Sequence, residues 1–365
     1  MHKTIQKTVD DFLPERECII YQRLNVKRAR RFMRERQSAT ACHVCFSRYT
    51  GSSRKVFQRS SANYGCKRSQ EAHAMENIIT FQHNPALNDL LDLKTNIVFA
   101  APDGEELALQ LIKPQWKSGG AGFPLVLFIQ GSGWTKPNQF FELPQLSLLA
   151  RRGFVVASVT HRSCFTAPAP AFLLDVKAAL RFLRAHAAQY DIDKTRVCAW
   201  GTSSGGNTAL LLGMTGDDPA FETQDWPGQS SRVQAVVDCF GPTDLEKMVC
   251  EQLADASPED KKLLYAMAGG ETVGDALERL RRVSPITYAQ PGRDFPPFLI
   301  LHGDADPVVL YAHSVAFYRR LCDLSYDAQL VRVQGAPHEG SFWSMPLLEH
   351  IFAFIERQIG RDLPR

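Results

Sequence analysis

The sequence predicts an α/β fold: an eight-stranded, mostly parallel sheet flanked by helices, with a small helical insertion as a partial lid over one edge. Three observations carry this expectation. Apolar runs of four to six residues recur between stretches of helical periodicity, the rhythm of βαβ units in one doubly wound sheet. The first two runs, Ile97-Val-Phe-Ala100 and Leu107 to Ile112, flank a turn at Pro102-Asp-Gly-Glu and read as an antiparallel opening. The run Val197-Cys-Ala-Trp200 breaks at Gly201, presents Ser203 and restarts as a helix through Ala209 and Leu212.

From Asn96 onward each element has a local reason. Leu125-Val-Leu-Phe-Ile129 is a continuous apolar strand that runs into the glycine-rich loop Gln130-Gly-Ser-Gly-Trp134. A helix is expected from about Leu143 to Arg151, closed by Gly153, because glycine takes the left-handed conformation of a helix end without a Cβ penalty. Phe154-Val-Val-Ala-Ser-Val159 is the next buried strand, and Asp175 to His186 places Val176, Ala179, Leu180 and Leu183 on one helical face. Ala235-Val-Val-Asp238 is a sixth strand, after which residues 243–290 carry helical rather than strand pattern. Pro297-Phe-Leu-Ile-Leu301 and Gln329-Leu-Val-Arg-Val333 complete eight strands, with Leu347 to Ile355 as the closing helix.

The segment Gly201-Thr-Ser203-Ser-Gly205 matches G-x-S-x-G. Glycines two before and two after the serine let strand and helix backbones pass close together around a strained turn, which lifts the hydroxyl clear of both. Ser203 then stands at a helix N-terminus, where free N–H groups favour developing negative charge. Serine is a poor nucleophile at neutral pH and needs a base, with an acid to hold that base in the right tautomer. In open α/β sheets such groups sit on loops at the carboxyl ends of strands.

Two loops qualify: His302-Gly-Asp304-Ala-Asp306-Pro after Leu301, and Gln334-Gly-Ala-Pro-His338-Glu-Gly after Val333. His338 is the candidate base. Asp304 and Asp306 are both candidate acids: Asp304 stands closer to the strand, while the proline after Asp306 fixes its direction. His302, directly after a strand, reads as packed or locally bonded and His161 as structural; Asp175, Asp238 and Asp244 read as capping or structural groups. An acyl-transfer site also needs N–H donors for its anionic tetrahedral intermediate. The candidates are the amides of Ser204, beside the nucleophile, and of Ser132 and Gly133 in the glycine-rich loop. Trp134, Phe140, Phe141, Phe342 and Trp343 flank these loops and are candidate walls of an apolar pocket.

At 365 residues and 44% hydrophobic composition the chain has room for a sizeable core. No apolar run approaches the roughly 18 residues of a membrane helix, and the first residues lack the apolar stretch of a secretory signal, so a cytoplasmic protein without a membrane partner is expected. Nine scattered cysteines suit reduced thiols. The net charge of +3 hides an asymmetry: residues 1–74 hold 16 Lys/Arg against 6 Asp/Glu, leaving 26 against 33 for the rest. Residues 1–74 therefore read as a basic, irregular N-terminal extension with one basic helix from about Arg23 to Arg36, and residues 75–365 as the catalytic domain. Nucleic acid is not an expected partner, because the remainder of the chain is acidic. Cys42-His-Val-Cys45 is a lone C-x-x-C, and Cys66 and His73 stand at spacings that match no standard zinc finger, so no metal is expected.

Taken together, these pieces resemble the esterase branch of the α/β-hydrolases over about Asn96 to Ile359. They are similar to the hormone-sensitive-lipase-like and the feruloyl or acetyl-xylan esterase groups. The resemblance rests on Phe128-Ile-Gln-Gly-Ser-Gly-Trp134, Tyr190-Asp-Ile-Asp-Lys-Thr-Arg-Val, Gly201-Thr-Ser-Ser-Gly-Gly206 and Phe240-Gly-Pro-Thr-Asp-Leu245. It rests equally on Ser284-Pro-Ile-Thr-Tyr288, His302-Gly-Asp-Ala-Asp306 and Gly335-Ala-Pro-His338. The order Ser203, Asp306, His338 is that of the family, whose acid falls at the fifth position of His-Gly-x-x-Asp, here Asp306. The resemblance implies a cofactor-free serine carboxylesterase acting on small to medium esters, acetyl or feruloyl esters of carbohydrates among them, through an acyl-enzyme. A homo-oligomer is compatible with it. One departure stands out: the family's His-Gly-Gly-Gly loop has Gln130 for the histidine and Ser132 for the middle glycine, which implies an altered oxyanion hole. A prolyl-oligopeptidase-like peptidase and a non-catalytic hydrolase-fold binding protein are the alternatives.

Overall fold

The computed structural model describes residues 79–252, 257–269 and 273–360. The basic extension expected over residues 1–74, its helix, the domain start at Met75 and the Cys42/Cys45 motif lie outside the described residues. Eight strands form one sheet: β1 (Leu91–Ala100), β2 (Leu107–Pro114), β3 (Phe123–Ile129), β4 (Val155–Val159), β5 (Ile192–Thr202), β6 (Ala235–Cys239), β7 (Phe298–Gly303) and β8 (Ala328–Val333). Their spatial order is β1-β2-β4-β3-β5-β6-β7-β8. β1 pairs antiparallel with β2 and β2 with β4, and every other pairing is parallel.

β3, β4, β6 and β7 are buried along their whole length, as strands covered on both faces must be, and that is why they read as continuous apolar runs. Alternate residues divide between two cores. Leu125, Leu127 and Ile129 face α2 (Ala171–Ala185) and α4 (Ser204–Thr215), where Val176, Leu180, Leu183 and Leu210 complete the packing. Val126 and Phe128 face α1 (Leu143–Ala150) and the closing helix α10 (Met345–Ile359), against Leu146, Leu149, Ile351 and Phe352. Gly153 closes α1 with φ +87° and donates its N–H to the Ala150 carbonyl. A short helical turn, α3 (Ala187–Tyr190), leads into β5.

Three elements differ from the sequence reading. β1 begins at Leu91 rather than Ile97, because its middle is exposed and its register shifts twice, which erases the apolar alternation. β5 begins at Ile192 rather than Val197, its polar start pairing with Phe123 and Pro124 at the edge of the core. A further helix, α9 (Tyr311–Asp323), follows β7; its buried face includes His313 and Ser314 beside Phe317 and Leu321, so polar residues mask the periodicity.

Residues 243–290 carry four helices, α5 (Leu245–Gln252), α6 (Pro258–Ala268), α7 (Val273–Arg282) and α8 (Pro285–Tyr288). An ion pair of Arg281 with Glu246 ties α7 to α5. The Met267 carbonyl on α6 accepts the Ala169 N–H at 2.8 Å, and a Cβ at Gly133 would stand 3.3 Å from the Leu263 side chain. α6 therefore lies over the loops that leave the carboxyl ends of β3 and β4. No helix among the described residues is long and apolar enough to cross a membrane.

Candidate active site

β5 delivers Ser203 and α4 starts immediately after it. Ser203 takes φ 52° and ψ −123°, a conformation that costs a side-chain-bearing residue energy and is held only because its surroundings fix it. Those surroundings are tight. A Cβ at Gly201 would collide with the Gly205 carbonyl, and one at Gly205 with the Ile129 carbonyl. The Ser203 N–H also donates to the Cys239 carbonyl at 2.8 Å, which pins the turn to the end of β6.

The three sequence-predicted side chains meet here. Ser203 Oγ lies 2.9 Å from His338 Nε2, and His338 Nδ1 lies 2.7 Å from Asp306 Oδ2. An ionised carboxylate only accepts, so Nδ1 carries the ring proton and the Nε2 lone pair faces the serine hydroxyl. Asp306 is buried, which alone would raise its pKa. Hydrogen bonds from His302 and His338, the charge of His338 and the Val308 amide outweigh this and hold it well below the usual carboxylate range. Its Oδ1 accepts the N–H groups of Val308 at 2.8 Å and Val309 at 3.1 Å. Asp304, the other candidate acid, is spent on structure: it accepts from Arg332 Nε at 2.6 Å and from the Gly335 N–H at 2.5 Å, joining the ends of β7 and β8.

Phe240 directly follows β6. Its ring meets that of His338 edge-on at 4.7 Å. Asp175 forms a buried pair with Arg162, Asp244 accepts the Lys247 N–H at the start of α5, and Asp238 accepts the Gly241 N–H. His161 is fully buried and its Nδ1 bonds the Arg162 carbonyl.

The loop expected to supply oxyanion donors departs from expectation at one amide. The Ser132 N–H is not open: it donates to Ser204 Oγ at 2.9 Å, just as the Gly131 N–H donates to Thr202 Oγ1 at 2.8 Å. The two hydroxyl side chains flanking the nucleophile thus hold successive amides of the loop. Among the described residues the N–H groups of Gly133 and Ser204 have no partner, so of the three expected donors these two are left open. Further braces run from Ser132 Oγ to the Thr135 carbonyl at 2.6 Å and from the Asn138 N–H to Gln130 Oε1 at 2.6 Å. Gln130 therefore takes over loop bracing where the family's histidine is missing.

The predicted pocket walls need correction. Trp134 is 5% exposed and packs on Phe172, while Phe342 is 1% exposed and packs edge-on against Phe240 at 4.7 Å. Both are core residues, because apolar side chains on loops beneath the rim are drawn into the hydrophobic layer. Trp343 is half-buried and donates from Nε1 to Glu339 Oε2 at 2.9 Å. Phe140 and Phe141 do stand exposed, as do Phe165 and Tyr265, which sequence reasoning passed over. A cavity of about 580 Å³ opens between Gly213–Pro219 and Arg293–Pro296, at the amino ends of β6 and β7, and holds no part of this constellation.

The sheet order, the strained serine turn and the loops that converge on it define an α/β-hydrolase. More particularly, the chain belongs to the BD-FAE family of α/β-hydrolase esterases, whose family model matches residues 109–321. Esterase LipC of Mycobacterium tuberculosis is 29% identical over 220 residues, covering 59% of this chain and 52% of that protein. The probable carboxylic ester hydrolase LipM of the same organism is 30% identical over 207 residues, covering 55% and 46%. The chain spans about half the length of these curated relatives. Among solved structures, a truncated carbohydrate esterase from gut microbiota matches with TM-score 0.61 and 28% identity over 76% of this chain and all of that one. A bifunctional GH43-CE protein of Bacteroides eggerthii matches with TM-score 0.63 and 31% identity over 75% of this chain and 38% of its own.

Proposed function

We propose that this chain is a serine carboxylesterase, with acetyl esters of carbohydrates as its substrate class. Ser203 Oγ attacks the ester carbonyl while His338 Nε2 takes its proton, and Asp306 stabilises the imidazolium that results. The negative charge on the tetrahedral intermediate falls to the Gly133 and Ser204 amides, a preorganised pair worth about 3–4 kcal/mol for each donor. Collapse returns the proton to the departing alcohol, and a water activated by His338 then releases the acid. The net reaction is ester and water to acid and alcohol. No metal or cofactor has a step in it. Residues 75–365 form the catalytic domain in this reading, with α6 as a partial lid.

The observation that carries the reading is the unbroken line from Ser203 Oγ through His338 to Asp306, at 2.9 Å and 2.7 Å. The substrate class draws support from the carbohydrate esterase and the GH43-CE protein to which the chain is similar. The test is hydrolysis of p-nitrophenyl acetate and of acetylated xylo-oligosaccharides by wild type and Ser203→Ala. Loss of about 10⁴-fold or more in kcat is expected, the size seen when a triad member is removed. Retained hydrolysis by the folded variant overturns the mechanism. Cleavage of the phenyl ester but not the acetylated sugar overturns the substrate class alone.

A further inference from the structure

We infer that His302 is a positioning residue for the acid, so that the line of hydrogen bonds does not end at Asp306 but continues through His302 to Ser314; the inference rests on the esterase reading above. His302 closes β7 and is fully buried. Its Nε2 lies 3.1 Å from Asp306 Oδ2, the same oxygen that accepts from His338, and 2.8 Å from the Val309 carbonyl. Both neighbours of Nε2 only accept, which requires that nitrogen to carry a proton. Its Nδ1 lies 2.7 Å from Ser314 Oγ on α9. A hydroxyl donates or accepts by rotation, so Ser314 satisfies Nδ1 in either protonation state.

The acid thus receives four N–H donors: two backbone amides on Oδ1, and two imidazoles on Oδ2. The amides alone would leave Oδ2 free to swing with χ2. His302 removes that freedom by sharing Oδ2 with His338, and it is itself held at both ring nitrogens. The same bond draws negative charge off Oδ2, so the acid is fixed in place at some cost to the basicity of His338. The other titratable groups around His302 are His338 itself, Tyr311, whose ring lies 5.8 Å away, and His313 on α9. Phe240 covers the β6 side.

Two predictions separate positioning from bulk packing. His302→Leu keeps the volume and removes the donor; kcat falls about 10- to 100-fold, the equivalent of one hydrogen bond to a charged group, with KM unchanged. The acid limb of kcat/KM moves to higher pH, because a more negative Oδ2 holds the His338 proton more tightly. His302→Gln, whose amide offers an N–H to Oδ2, restores most of kcat and returns the limb. The assay is p-nitrophenyl acetate hydrolysis over about pH 5–9, with unfolding curves for each variant and Ser203→Ala as the control. Should Ser203→Ala retain hydrolysis, the esterase reading fails first. A folded His302→Leu with the wild-type kcat and acid limb, beside an inert Ser203→Ala, overturns this inference alone. Where His302→Leu does not fold, imidazole ¹⁵N NMR of the wild type decides: a protonated Nε2 at His302 across the active pH range supports it, and a bare Nε2 overturns it.

Discussion

Replacing Glu142 by glutamine tests the electrostatics beside the oxyanion loop, with a sign that the structure fixes in advance. Glu142 joins that loop to α1, and its Oε2 is buried without a partner. Burial and the nearby Glu339 carboxylate push its pKa from 4.5 up to about 8. The folded protein therefore binds this proton more tightly than the unfolded chain does. The stabilisation is complete below the unfolded value and is lost as pH rises through about 8. Inside that window each pH unit removes about 1.4 kcal/mol, and between pH 5 and pH 9 the loss is at most about 4 kcal/mol. Glutamine is a neutral isostere with no proton to lose. Urea unfolding of wild type and Glu142→Gln at several pH values should give nearly equal stabilities near pH 5 and a growing advantage for the variant toward pH 9. Two curves that stay parallel across the whole range would refute the burial argument.

Two further substitutions probe the oxyanion loop. A Cβ at Gly131 would stand 2.7 Å from both Ser203 Cβ and the Thr202 carbonyl, so Gly131→Ala must push the loop off the nucleophile. The expected result is a drop in kcat of about 10²- to 10³-fold on p-nitrophenyl acetate, the scale of a lost oxyanion donor; a wild-type kcat contradicts the close approach. Ser204→Ala leaves the Ser132 N–H without its acceptor but keeps the Ser204 backbone amide. It should cost about 1–3 kcal/mol in urea unfolding and less than about tenfold in kcat; a loss of activity as deep as that of Ser203→Ala would contradict this division of labour.

The fold and its esterase kinship were legible because their signals are local. Strands buried on both faces, such as β3 and β4, write themselves as apolar runs, and the glycines around Ser203 are forced by backbone collisions that no other residue avoids. The chain order of Ser203, Asp306 and His338 was legible for the same reason, since each follows a recognisable strand, and the structure brings the three into one line. Sequence failed where the answer depends on a distant neighbour. That the Ser132 amide is occupied depends on a hydroxyl 72 residues away. That Trp134 and Phe342 are core, whereas Phe165 and Tyr265 are exposed, depends on which loop overlies which. His302 read as packed or locally bonded, and it is buried and bonded to Asp306; nothing in the sequence shows that partner. α9 escaped because His313 and Ser314 occupy its buried face.

The hydrogen bond between Ser203 and His338 spans 135 positions of chain, and β8, the strand that leads into the His338 loop, is the last of the eight in the sequence and lies at one edge of the sheet. A ribosome adding about 5–20 residues each second needs roughly 7–27 s to cover that distance. Throughout the interval Ser203 lacks the imidazole that the proposed mechanism gives it as a base. On the proposed mechanism, ester cleavage therefore waits until the loop after β8 has been made.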